Sequence, residues 1–119
     1  MIDDALHGDV HALPRRLLEG ADFEGAAQLL AQVPHTRVLG GIPSMLDLEV
    51  DSSVPASSCP DGPLPVQGVA EEPDGTPLGL VFAWVSHGYI AALESAWVTD
   101  EPPTRLFSPD QLRIEPGSR

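Results

Sequence analysis

The 119-residue chain carries 18 Asp or Glu against six Arg and no Lys, for a formal charge of −12 and a pI near 4.3. Lacking lysine, it has no amine for Schiff-base catalysis or for a GxxxxGK[ST] phosphate loop, and its acidity argues against nucleic acid or an anionic membrane surface as partner, since cations supply that affinity. Its length and 42% hydrophobic content predict one domain over 1–119, and the single Cys59 excludes an intrachain disulfide or a multi-thiolate zinc site.

The N-terminus, Met1-Ile2-Asp3-Asp4, is acidic where a secretory signal is basic, and no apolar run approaches the ~18 residues of a membrane span, so a cytoplasmic chain is expected. Residues 2–7 offer a helical turn before Gly8. A first helix is predicted from near Pro14 through Arg15, Arg16, Leu17 and Leu18 to a stop at Gly20. A second is predicted with Asp22 as N-cap and Phe23, Ala26, Ala27, Leu30 and Val33 along one face, until Pro34 ends it. Residues 1–43 are thus read as mainly helical, forming a helical hairpin.

From Leu46 the period changes to two. Leu46, Leu48 and Val50 alternate with Asp47, Glu49 and Asp51, the pattern of a half-buried strand. After a Ser- and Pro-rich loop over 52–63, strands are predicted at Val66 to Glu71, Leu78 to Val85 and Tyr89 to Val98. Glu72-Pro73-Asp74-Gly75 and Ser86-His87-Gly88 supply the turns. The prolines at 102 and 103 end the last strand, and residues 105–119 read as a tail with a short strand at Leu112 to Ile114 as an option. The expected fold is α+β: an N-terminal helical hairpin packed on an antiparallel β-meander of about four strands over 44–104.

Charge is the sharpest functional signal. Between Arg37 and Arg105 stand ten carboxylates and no cation. Asp47, Glu49 and Asp51 share a strand face at ~7 Å intervals, a linear stripe that repels itself unless something cationic covers it. Acidic surfaces also serve solubility alone, and no DxDxDG-type calcium loop is present. In the hairpin, Leu80, Phe82, Trp84, Tyr89, Leu93 and Trp97 form a large-residue set, with Val81, Ala83, Val85, Ile90, Ala92 and Ala96 as the small set. A two-residue His87-Gly88 turn predicts that the large residues fall together and pack on the helices, while the small-residue face meets the rest of the chain, a partner or a second copy in a homodimer. Glu94, amid apolar residues, is a candidate buried acid or a solvent-facing one. His7 and His11, four apart, are weak metal candidates with Asp3 or Asp4, although Gly8 and Asp9 weaken the helix that geometry needs.

The stretch Gly88-Tyr89-Ile90-Ala91-Ala92-Leu93-Glu94, continued by Ala96-Trp97-Val98-Thr99-Asp100-Glu101-Pro102-Pro103-Thr104, resembles a group of small actinobacterial proteins with a C-terminal signature like GYLxxLEYAWxTDEPPT. It departs at Ile90 and Ser95. The resemblance covers about the C-terminal third, including Ser108-Pro109-Asp110. It implies no activity, but marks Glu94, Trp97, Asp100 and Glu101 as a shared structural or interaction element. The expected function is a non-enzymatic, cofactor-free interaction module whose acidic sheet face, through Asp47, Glu49, Asp51, Asp100 and Glu101 with Trp97 as aromatic anchor if exposed, docks a basic protein in an inhibitor, immunity-type or accessory role. The alternative is a small metal-dependent or acid/base enzyme using His7, His11 and Glu94.

Overall fold

Val10, Leu13 and Leu17 recur at intervals of three and four, and this buried face holds helix α1 (Asp4–Leu18) through two residues that disfavour it, Gly8 and Pro14. The computed structural model describes residues 4–98 and 106–116, with side chains from Val10 onward. A proline inside a helix costs about 3 kcal/mol, and three fully buried apolar side chains at roughly 1.5–3 kcal/mol each outweigh it. The helix expected to begin near Pro14 is therefore one continuous helix starting at Asp4. Arg15 and Arg16 occupy its last turn, where cations face the negative end of the dipole, and Gly20 at φ +76° ends it as predicted.

Helix α2 (Ala26–Gln32) is shorter than expected, because its N-cap is Gly25 at φ +86° and not Asp22. A Cβ on Gly25 would lie 2.6 Å from the Cys59 backbone nitrogen, so this left-handed corner accepts only glycine. Ala26, Leu29 and Gln32 face inward, and a 3-10 turn (Val33–His35) carries Pro34 into the first strand. That strand, β1 (Thr36–Ile42), closes the mainly helical 1–43 segment with a strand that the sequence pattern does not predict.

The remaining strands are β2 (Met45–Val50), β3 (Gly62–Pro63), β4 (Val66–Glu71), β5 (Pro77–Ser86), β6 (Tyr89–Trp97) and β7 (Leu112–Pro116). They form one seven-stranded antiparallel sheet in the order β1-β2-β6-β5-β4-β7, with β3 also pairing β5. The architecture is α+β, with α1 against the sheet, but the sheet exceeds the expected four strands by β1, the two-residue β3 and the C-terminal β7.

One side of this sheet is the core. Leu46, Leu48 and Val50 of β2, Val81, Ala83 and Val85 of β5, and Ile90 and Leu93 of β6 cluster with Val10, Leu13, Leu17, Leu29 and Val33 of the helical layer. The hairpin register departs from the sequence expectation. Ser86 pairs Tyr89 across a two-residue turn with His87 at φ 54° and Gly88 at φ 84°, a type I′ geometry. Trp84 nevertheless pairs Ala92 while Val85 pairs Ile90, so Ala91 is an extra residue in β6. This bulge moves Leu93 and Trp97 to the side of Gly79, Val81 and Ala83. The small-residue face of β5, not its aromatic face, packs on the helices.

Candidate docking surface

Residues of alternating parity in a strand point to opposite sides, so the same register that buries Val81, Ala83, Leu46 and Leu93 aims Leu80, Phe82 and Trp84 of β5, Ala92, Glu94 and Ala96 of β6, and Met45, Asp47 and Glu49 of β2 at the other side. Both described helices lie on the core side, so among the described residues this second face carries no helix. Phe82 and Trp84 are half-buried there, and Asp47 and Glu49 are exposed.

Register assembles the face in rows. Asp47 opposes Ala92, which opposes Trp84, which opposes Pro63. One row further along β6, Met45 opposes Glu94 and Glu94 opposes Phe82. The Trp84 indole Nε1 donates to Glu94 Oε1 at 3.2 Å, joining the two rows. Past them Ala96 opposes Leu80, Leu80 opposes Val69, and Val69 opposes Arg113. Opposite Trp84, β6 thus presents only the methyl group of Ala92, whereas Glu94 flanks Phe82.

The charges of this face are unevenly compensated. Arg37, opposite Glu49, donates to its carboxylate from both Nε (2.8 Å) and Nη2. At the far edge Arg113 bridges Glu71 (2.8 Å) and Glu115 (2.9 Å). The side chains of Arg37 and Glu49 are 68% and 45% exposed, so their pair contributes no more than about 1 kcal/mol, yet it does cancel charge locally. Gln67, donating at 2.8 Å, and then Arg113 hold Glu115 below the usual carboxylate range. Among the described residues no cation pairs with Asp47 or Glu94, so the uncompensated negative charge centres on those two, beside Trp84.

Asp51 follows β2 and accepts the Ser53 backbone N–H at 3.0 Å; that bond, then one from the Ser53 side chain, with His35 and Arg37 adding to them, lowers its pKa. Trp97 is on the helix-covered side, stacked on Phe107 with ring centroids 3.9 Å apart, so the aromatic residue beside the acids is Trp84. Asp100 and Glu101 fall outside the described residues, as do the side chains of His7 and Asp4 and the whole of Asp3. His11 Nε2 donates to the Thr36 carbonyl at 2.6 Å and lines an open groove of about 610 Å³ with His35, Arg37, Glu49, Asp51 and Ser52. Glu94 is not part of that groove. Among the described residues no three His, Cys, Asp or Glu side chains converge to hold a metal.

The class these features define is an α+β protein with one face of its sheet under helices and the other bearing aromatic residues and carboxylates. Searches of protein-family models, curated proteins and solved structures find no match to the chain. Among the described residues no helix is long and apolar enough to cross a membrane.

Proposed function

We propose that this protein is a non-enzymatic interaction module whose helix-free sheet face docks a basic protein. The observation that carries the reading is the coincidence, on one face, of the uncompensated carboxylates Asp47 and Glu94 with the half-exposed rings of Trp84 and Phe82. Carboxylates steer and orient a cationic partner, and aromatic side chains supply the area that retains it. Inhibitor, immunity-type and accessory-subunit roles are each compatible with a surface of this kind. Glu94 also lies in the stretch that resembles the actinobacterial signature, where the resemblance implies a shared structural or interaction element.

The test is fluorescence anisotropy with a labelled lysine-rich peptide at about 20 mM and about 300 mM salt, where the Debye length falls roughly fourfold. Wild type is expected to bind at low salt and weaken at high salt. Asp47→Arg with Glu49→Arg is expected to weaken binding at least about tenfold, with an unchanged circular dichroism spectrum. Glu72→Arg with Asp74→Arg makes the same change in net charge in the β4–β5 turn and is expected to cost less than about twofold. Equal losses from the two double variants would show that net charge alone attracts the peptide and would overturn the reading.

A further inference from the structure

We infer that the group this face reads is an arginine side chain, seated over Ala92 between Trp84, Asp47 and Glu94; the inference rests on the docking reading above and specifies its chemistry. Asp47 on β2 and Trp84 on β5 flank Ala92 in one row of the sheet, so their backbones stand about 10 Å apart, twice the strand spacing. Between them Ala92 contributes only a methyl group. Glu94 is two residues along β6, about 7 Å from Ala92 on the same side. The register thus places one aromatic residue and two carboxylates around an alanine, the arrangement from which the notch is inferred.

A planar guanidinium suits these walls better than an ammonium does. It stacks on an indole, donates from a fixed fork to more than one carboxylate, and is the more weakly hydrated cation, so it gives up less water on approaching Ala92 and Phe82. The Trp84–Glu94 hydrogen bond prepares both walls. It fixes one carboxylate oxygen against the ring edge, and an anionic acceptor on Nε1–H polarises the indole toward greater electron density on its face. The only ion pairs this face makes are at its margins, Arg37 with Glu49 and Arg113 with Glu71 and Glu115, among the described residues. A cation entering the notch therefore meets carboxylates that no described arginine neutralises.

The experiment compares an arginine-rich with a lysine-rich peptide of equal length and charge, using wild type, Trp84→Leu and Glu94→Gln, with sedimentation analysis of each protein. Wild type is expected to prefer the arginine peptide about tenfold, and Trp84→Leu to reduce that preference to about unity while still binding both peptides. Glu94→Gln keeps an acceptor for the indole and nearly the same volume, so it reports even if Trp84→Leu fails to fold; its arginine preference is expected to fall at least threefold. Equal binding of the two peptides by wild type would overturn the arginine notch while leaving the acidic docking face intact. Failure of both peptides to bind would overturn both. A wild-type dimer that Trp84→Leu dissociates would assign the face to a second copy of the chain and contradict the inference.

Discussion

Phe107→Ala is expected to lower the free energy of unfolding by about 3–5 kcal/mol in equilibrium urea denaturation, the range for removing a fully buried aromatic residue. Phe107 is among the largest side chains with no exposure, and its ring stacks on Trp97 with an interplanar angle of 19°. Gly79 makes room for this stack. It pairs directly with Trp97 across the β5–β6 ladder, and a Cβ there would lie 2.9 Å from Phe107 Cζ. Truncation removes the transfer free energy of the ring, leaves a void in the core, and unstacks Trp97. A loss below about 1 kcal/mol would mean that the segment following residue 105 is not part of the core.

Gln32→Leu is expected to cost about 2–4 kcal/mol, although leucine is the more apolar residue and the site is completely buried. The Gln32 amide joins three segments. Its Oε1 accepts from the Ile90 backbone N–H at 3.0 Å, and its Nε2 donates to Gly88 O at 2.8 Å and Pro55 O at 3.2 Å. Gly88 O also accepts from Ser57 N and so keeps a partner, but Ile90 N–H loses its acceptor in the interior. One orphaned buried donor costs roughly 1–3 kcal/mol, to which the lost bonds of α2 to the hairpin and to the 52–61 loop add. Amide hydrogen exchange provides a second reading, in which protection of Ile90 should drop before that of Leu93. Retained Ile90 protection would contradict the role assigned to Gln32.

Much of the sheet can be read from the chain because its strands obey a local rule. The alternation through Leu46–Val50, the run Val66–Glu71, and the Glu72-Pro73-Asp74-Gly75 and His87-Gly88 turns each mark a boundary by their own chemistry, and the strands lie within a residue or two of those marks. What escapes is whatever tertiary packing decides. Strand β1 contains Gly40 and Gly41 and a register shift after Val38, so its period is broken, and α1 runs through Gly8 and Pro14 because the core repays its buried face. The residues after 105 look like a tail, yet Leu106, Phe107 and Leu112 are buried.

For the candidate site the same division holds. Exposure of Asp47 and Glu49 follows from alternation, but the pairing of Glu49 with Arg37 requires β1, which the sequence pattern does not reveal. The exchange of Trp97 for Trp84 beside the acids turns on the single extra residue Ala91. Nothing in Ala91-Ala92-Leu93 distinguishes a bulge from a regular strand. A tryptophan's face is thus set by one backbone irregularity that local sequence does not record.

Amide and indole chemical-shift mapping during titration with the arginine-rich peptide tests the docking face most directly. Movement of the Trp84 indole N–H together with the Asp47, Ala92 and Glu94 amides is predicted, while α1 and the Glu72–Gly75 turn stay still. Shifts centred on that turn or on the helices, with Trp84 unmoved, would contradict it.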